Sequence, residues 1–137
     1  MRNSFHQRTP PGRSGVAAAE FAVCLPILVV LLIGTIEACS MIYLKQTLSI
    51  AAYEAARVST IPGAVTSDVQ AAADAILVAR GVNNPTVTIS PANFEAQPPE
   101  TWTTITVAAP GSANSVITGW YYDQQTVTAK ATMMKEF

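Results

Sequence analysis

One long apolar run limits what this chain can fold into more than any other feature. Phe21 to Ile36 contains sixteen residues without a charge, and eleven of them are Phe, Val, Leu or Ile. Each of those eleven favours the membrane centre by about 0.3–0.6 kcal/mol, so the run favours a bilayer by about 5 kcal/mol. With its flanks it supplies the ~20 residues that a spanning helix needs. We therefore predict a transmembrane helix over residues 16–44.

Two acids, Glu20 and Glu37, bracket the apolar run. A plain membrane anchor has no need of them, because a carboxylate is costly to place in lipid. We expect Glu37 to lie at the outer membrane interface. For Glu20 the residue type and position alone leave two interpretations open, which are simple placement among the headgroups and a functional role.

The distribution of basic residues predicts the orientation in the membrane. Arg2, Arg8 and Arg13 precede the run with no acid among them, and Lys45 is the one base close behind it. The positive-inside rule then places the amino terminus in the cytoplasm and the remainder outside the inner membrane. The three arginines form no dense patch, so no nucleic-acid partner is expected.

The helical pattern continues beyond the membrane run. The stretch from Lys45 to Ser59 has no Gly or Pro, and Pro62 with Gly63 ends it. A stripe of small and apolar residues repeats along it at helical spacing. The stripe consists of Leu44, Leu48, Ala51, Ala52 and Ala55. We expect one long helix with a membrane half and a soluble half.

A second helix and three strands are predicted after Gly63. The helix begins at Ser67, where Ser67 and Gln70 resemble a capping box, and it stops at Gly81. Three later segments alternate apolar and polar residues with period two, which predicts a one-sided antiparallel sheet. These segments are residues 86–90, 102–107 and 126–133.

The predicted fold class is α+β. The long amino-terminal helix is followed by a second helix packed on a small three-stranded antiparallel sheet. We predict three parts: a basic cytoplasmic leader over residues 1–15, the transmembrane helix over 16–44 and an extracytoplasmic α+β domain over 45–137. The aromatic cluster Trp120-Tyr121-Tyr122 lies in a predicted loop. It is interpreted as a plug over the sheet or an anchor at the membrane surface.

The sequence offers little material for catalysis. Its one histidine, His6, lies in the leader, and neither a zinc-type Cys/His cluster nor a glycine-rich phosphate loop is present. The acids of the soluble part are scattered, with no spacing that pairs them for acid–base work. We therefore expect no enzyme, no catalytic residue, no metal, no cofactor and no small-molecule substrate.

Both cysteines, Cys24 and Cys39, fall in or near the apolar run. On one helix they would lie about 22 Å apart at 1.5 Å per residue, which is too far for a disulfide between them. They are interpreted as small apolar residues or as partners in a bridge between chains. A small residue before Cys39 also allows a lipoprotein signal, although Glu37 is unfavourable at such a cleavage site.

The residues around the start of the run form a specific pattern. Arg13-Ser14-Gly15-Val16-Ala17-Ala18-Ala19-Glu20-Phe21 is followed by Leu25-Pro26 and the apolar run. This pattern resembles TadE-like minor pilins, or pseudopilins, of the tight adherence (Tad/Flp) pilus system. Further matches are Ile36-Glu37, the stretch AYEAAR from Ala52 to Arg57 and the final TAKATMMKE. The sequence departs from the family pattern after Glu37, where Ala38-Cys39 replaces the usual aromatic or glycine residues.

The resemblance implies a processing site and an assembly site. A prepilin peptidase would cut after Gly15, which makes Val16 the first residue of the mature chain and Glu20 the fifth. Glu20 of one subunit would then pair with the new Val16 amine of a neighbour, and Phe21 belongs to the same assembly segment. The implied partners are the membrane, the peptidase and other pilin and minor pilin subunits. The implied place is the inner membrane and a surface pilus.

Two other functions compete with this one. The chain could be an uncleaved, membrane-anchored binding module whose sheet and Trp120 loop hold a partner, or a lipoprotein acylated at Cys39. The mass of the mature protein separates all three, because each predicts a different first residue.

Overall fold

The computed structural model describes residues 13–117, 122 and 124–136. The chain divides into two compact units, Met1–Thr35 and Ile36–Phe137. The predicted α+β class is confirmed, with a long first helix, a second helix and a three-stranded antiparallel sheet. The elements in order are α1 (Arg13–Ser59), α2 (Thr66–Ala79), β1 (Thr86–Ser90), a 3-10 helix (Phe94–Ala96), β2 (Trp102–Pro110), α3 (Gly111–Asn114) and β3 (Thr126–Met134).

The first unit contains the amino-terminal part of α1. Pro26 lies inside the helix, and the helix continues on both sides of it. The hydroxyl of Thr35 donates a 2.8 Å hydrogen bond to the carbonyl oxygen of Leu31 one turn earlier. Such a bond satisfies a hydroxyl inside an apolar stretch without any partner from outside the helix.

The sheet of the second unit has the order β1-β2-β3 with both pairs antiparallel. Val107 of β2 lies opposite Val87 on β1 and opposite Ala129 on β3. Alternate β2 residues are buried, from Thr103 through Ile105 and Val107 to Ala109. The predicted one-sided sheet is confirmed, because side chains alternate between faces along each strand and one face is buried.

One hydrophobic core joins the helices to the buried face of the sheet. The stripe predicted on α1 from Leu44 to Ala55 is buried there. From α2 the buried residues are Val69, Ala73 and Leu77, each four residues apart and so on one face of the helix. The helices and the sheet are therefore held together by apolar burial, the largest favourable contribution to folding.

The two ends of α2 differ in how well the sequence predicts them. The helix begins at Thr66, and Asp68 Oδ2 accepts the Val65 N–H at 3.2 Å, so the predicted Ser67 and Gln70 cap is wrong. The predicted stop at Gly81 is confirmed, since its φ is +65°. A positive φ suits glycine because it has no Cβ.

The stretch between β1 and β2 contributes to the core. The 3-10 helix Phe94–Ala96 buries Phe94, which is only 1% exposed. Lys135 Nζ donates hydrogen bonds to the carbonyl oxygens of Phe94, Glu95 and Gln97 at 3.4, 3.1 and 3.0 Å. The ammonium group thus satisfies carbonyls of a short helix that leaves most of them without an intrahelical donor, and the Phe94 carbonyl also accepts the Gln97 N–H at 3.2 Å.

Candidate functional site

The residues predicted as processing and assembly sites lie together at the start of α1. Val16 and Phe21 are each 58% exposed, and Glu20 is exposed as well. Among residues 13–117, 122 and 124–136, a Cβ added at Gly15 would meet nothing within 4 Å. The described structure therefore leaves the backbone around Gly15 and Val16 accessible.

Glu20 lies one helical turn after Val16. Residues four apart on a helix share one face and are separated by about 6 Å along the axis. Within the described residues, the carboxylate of Glu20 has no ion-pair partner. The carboxylate is therefore available to a cation supplied from outside the described part of the chain.

The first unit exposes apolar side chains on every side of the helix. From Ala17 to Thr35 all residues are exposed except Ile33, which is half-buried. In the described part of the chain one helix, Gly15–Ser59, is long and apolar enough to cross a membrane. A helix that is apolar all round needs an apolar environment, which lipid supplies.

Residues 15–57 match the family model of TadE-like proteins. This segment of the chain is TadE-like. The match covers about a third of the 137 residues, begins at Gly15 and ends at Arg57 inside α1. No curated protein and no solved structure matches the chain significantly.

The TadE-like segment therefore contains Gly15, Val16, Glu20 and Phe21 together with the AYEAAR stretch. A TadE-like segment on an exposed, apolar amino-terminal helix fits a membrane-anchored component of a Tad pilus. It also fits a protein that crosses the membrane once.

The second acid of the TadE-like segment, Glu37, is buried in the second unit. Its side chain is 3% exposed, so the carboxylate faces the protein interior, and its expected depth at the outer membrane interface stays a prediction. Ser115 Oγ donates to Glu37 Oε1 at 2.5 Å, and the Ile117 N–H donates to Oε2 at 3.2 Å. Two donors from the chain that follows α3 thus satisfy the buried carboxylate, which would otherwise be costly.

A signal for the burial of Glu37 is present in the sequence. Glu37 precedes Met41 by four residues and Leu44 by seven, so it continues the buried stripe of α1 toward the amino terminus. The expectation instead followed its charge and its place beside the apolar run. Helical spacing was the better guide, because residues four and seven apart share a face.

The segment that holds Glu37 is itself fixed by Asn114. The side chain of Asn114 accepts the Asn83 N–H at 2.8 Å and donates to the carbonyl oxygens of Asn83 and Pro110 at 3.0 and 2.9 Å. Gly111 at the start of α3 donates its N–H to the Gln125 carbonyl at 2.7 Å. These bonds connect the loop after α2, the end of β2 and the approach to β3.

The aromatic cluster is described only in part. Tyr122 packs against the hydrophobic core, as the plug interpretation expects of it. Trp120 and Tyr121 lie outside the described residues, as do residues 1–12 of the leader with His6. The predictions for these residues stay predictions.

Neither cysteine is paired in the structure. Cys24 and Cys39 are free and exposed. Among the described residues, no three or more His, Cys, Asp or Glu side chains form a group that could hold a metal ion.

Proposed function

We propose that the chain is the precursor of a membrane-anchored minor pilin or pseudopilin. A prepilin peptidase cuts it after Gly15, and the mature subunit then serves in the assembly of a Tad-type pilus or a related secretion filament. Its role is structural and not enzymatic. The TadE-like match, which begins at Gly15, carries the proposal.

The membrane orientation belongs to the same proposal. The leader with Arg2, Arg8 and Arg13 stays in the cytoplasm, and the second unit lies on the outer side of the inner membrane. Gly15 is then at the cytoplasmic end of the spanning helix. No atom of the described residues lies within 4 Å of a Cβ added at Gly15, which supports access for a peptidase that works at that surface.

Cleavage supplies a cation for Glu20, whose carboxylate has no ion-pair partner among the described residues. The new Val16 amine is positively charged at neutral pH and stands at the amino terminus of a helix. Glu20 of one subunit pairs with the Val16 amine of a neighbouring pilin, which sets the axial position of the two helices. The exposure of both residues on α1 supports a contact between subunits.

The cleavage is tested by co-expression with a prepilin peptidase. Mass measurement and amino-terminal sequencing should show a mature chain that begins at Val16. Gly15→Ala should abolish cutting, whereas Gly12→Ala, a matched change within the leader, should leave it intact. A wild-type chain that still starts at Met1 would overturn the proposal, and a first residue at Cys39 would identify a lipoprotein.

The role of Glu20 is tested separately from cutting. Glu20→Val should be processed normally but assemble few filaments, because the charged partner of the Val16 amine is lost. Glu20→Asp keeps the charge and should retain part of the assembly. Normal piliation of the Glu20→Val variant would refute the pairing.

A further inference from the structure

A small cavity lies between α1, the turn after α2 and α3 in the second unit. Its volume is about 180 Å³, and its lining includes polar and apolar side chains around one arginine. Among the lining residues are Ser40, Tyr43, Leu44, Thr47, Arg80 and Asn114. We call it the Arg80 cavity. Cavities that hold a whole small molecule usually exceed about 300 Å³, so this one suits a single small group.

Arg80 gives the cavity an unpaired positive charge. The ion pair that the described residues contain joins Arg57 and Glu54, so Arg80 has no acidic partner among them. Its guanidinium lies over the ring of Tyr43, 5.8 Å from the centroid, a contact that orients the cation without satisfying its N–H donors. None of the described lining residues is acidic, and the buried acid Glu37 is hydrogen-bonded to the segment after α3. The cavity therefore favours an anion.

Thr47 adds an unused hydroxyl to the same cavity. The residue is fully buried, and its Oγ1 has no hydrogen-bond partner in the part of the chain that the structure describes. By contrast Ser40 donates to the Glu37 carbonyl at 2.8 Å, and the Asn114 side chain is used by its own bonds. A buried hydroxyl without a partner is unfavourable, so Thr47 and Arg80 leave two donors for one ligand. Phosphate oxygens accept from donors of both kinds.

The chain connection places the Arg80 cavity close to the membrane. Ser40 follows Ile36, the last residue of the apolar run, by four residues, which even a fully extended chain spans in about 14 Å. The cavity joins residues of the predicted spanning segment, such as Tyr43, to Thr47 and Arg80 of the predicted outer domain. The headgroup layer is about 5–8 Å thick on each side of the hydrocarbon core, and tyrosine is enriched there. Phospholipid phosphates are therefore within reach.

We propose that the Arg80 cavity binds the phosphate of a phospholipid headgroup in the outer leaflet of the inner membrane. Arg80 pairs with the phosphate at the surface, and Thr47 donates to it at the floor of the cavity, which opens slightly because Thr47 is fully buried without a ligand. Leu44 contacts the glycerol part. The inference rests on the membrane anchoring and orientation of the proposed function. A bound headgroup holds the second unit at the membrane surface.

Binding is tested by adding soluble probes to the full-length chain in neutral detergent. A ligand that binds the folded chain raises the unfolding midpoint, and its dissociation constant follows from the concentration dependence. The probes are dihexanoyl-phosphatidylglycerol, inorganic phosphate and dihexanoylglycerol, which has the acyl chains without a phosphate. We expect the phospholipid to bind at least about tenfold more tightly than inorganic phosphate, because it also buries CH₂ groups. Dihexanoylglycerol should give no shift.

Arginine variants test the charge. Arg80→Gln should weaken phospholipid binding at least about tenfold, because the charged hydrogen bonds to the phosphate are lost. Arg57→Gln removes an exposed arginine of α1 in the same unit and should leave the dissociation constant unchanged. Arg80→Lys keeps the charge without the planar donor fork and should weaken binding less than Arg80→Gln. The midpoint of each variant without ligand verifies that it is folded.

Thr47→Val tests the buried donor. It should weaken phospholipid binding by about threefold to tenfold, the effect of one lost hydrogen bond. The unfolding midpoint without ligand should not fall, because the hydroxyl has no partner among the described residues. A residue with a purely structural role would not weaken binding while leaving the midpoint intact.

Several outcomes would overturn the lipid site. Equal affinities for phospholipid and inorganic phosphate would identify a site for free phosphate, and equal affinities for phospholipid and dihexanoylglycerol would mean that acyl chains bind alone. An unchanged affinity in Arg80→Gln would exclude the cavity.

The first residue and the membrane fraction of the same chain separate this inference from the proposed function. A membrane-bound chain cut at Val16 that binds no phospholipid refutes the lipid site alone. A chain that binds phospholipid and still starts at Met1 refutes the cleavage and supports the lipid site. A chain found in the soluble fraction refutes both proposals.

Discussion

Glu37 on α1 accepts a 2.5 Å hydrogen bond from the hydroxyl of Ser115, 78 residues later in the chain. The bond joins the beginning of the second unit to the segment between β2 and β3. Its carboxylate is buried and has no ion-pair partner among the described residues. The contact of the carboxylate therefore depends on hydrogen bonds alone, whereas the Ser115 hydroxyl also bonds to the Ile117 carbonyl oxygen at 2.8 Å.

We expect Glu37→Leu to lower the free energy of unfolding by about 1–3 kcal/mol, because both charge-assisted bonds are lost and the Ile117 N–H keeps only the Ser115 hydroxyl as acceptor, at 3.2 Å. Glu54→Leu, which removes an exposed ion pair with Arg57, should cost less than about 1 kcal/mol. Denaturant titration of the full chain in detergent, followed by tryptophan fluorescence, measures both. Equal decreases in the free energy of unfolding would show that the buried hydrogen bonds of Glu37 stabilise the protein no more than the exposed ion pair does.

Gly111 is required by a close backbone approach. A Cβ there would overlap the carbonyl oxygen of Tyr122 and lie 2.9 Å from that of Gln125. Because backbone must move, Gly111→Ala should destabilise the second unit by about 1–3 kcal/mol. Gly34→Ala, where a Cβ meets nothing within 4 Å, is the matched control in the same denaturation assay. Equal stabilities of the two variants would contradict the clash.

Thr47 carries a buried hydroxyl with no hydrogen-bond partner in the described part of the chain. Thr47→Val keeps the shape and removes the unsatisfied group, so it should stabilise the protein by about 1 kcal/mol. Thr60→Val serves as the control, since its hydroxyl donates to the Arg57 carbonyl at 2.8 Å and its loss brings no gain. A midpoint of unfolding that falls in Thr47→Val would argue for an ordered water at this hydroxyl.

Glu95 connects the 3-10 helix to the start of α2. The hydroxyl of Thr66 donates to Glu95 Oε1 at 2.6 Å and the Thr66 N–H donates at 2.5 Å, and these two bonds lower the pKa of the carboxyl below its ordinary 4.5. A lowered pKa in the folded state means that this stabilisation is complete above pH 4.5 and is lost as the pH falls through the lowered value. In Glu95→Gln the free energy of unfolding should therefore decrease less on acidification than it does in the wild type.

Thr66→Val removes only one of the two hydrogen bonds to Glu95. It removes the hydroxyl donor and keeps the N–H, so its stability should depend on acid pH less than that of the wild type and more than that of Glu95→Gln. Unfolding midpoints measured at several pH values below 5.5, a range set about one unit above the ordinary carboxyl pKa, would compare the three. If the unfolding midpoints of the three proteins depended on pH in the same way, the hydrogen bonds between Glu95 and Thr66 would not contribute to the acid dependence of stability.

Much of the fold was predictable because its signals are local. Alternation on β2 identified Thr103, Ile105 and Val107 as one face, and helical spacing identified the stripe that includes Leu48, both of which are buried. Gly81 was recognisable as a helix stop because glycine readily takes a positive φ. Burial patterns of period two and 3.6 leave a direct trace in a sequence.

Contacts between distant segments leave no such trace. Nothing around Phe94 indicated that one aromatic residue of a proline-rich loop would be buried, or that Lys135 would satisfy the carbonyls beside it. The partners of Glu37 lie in a segment whose pattern suggests only a loop. By contrast Gly15, Val16 and Glu20 were identified from their resemblance to a family, and the family match includes all three.

The burial of Glu37 also determines where the chain can be divided in practice. A water-soluble fragment that starts at Lys45, the predicted domain boundary, would lack Glu37, Met41 and Leu44, all of which are buried in the second unit. Such a fragment would leave the Ser115 hydroxyl without its carboxylate and open a gap in the core. A fragment that starts at Ile36 retains these side chains, and it is the better choice for crystallisation or a binding assay.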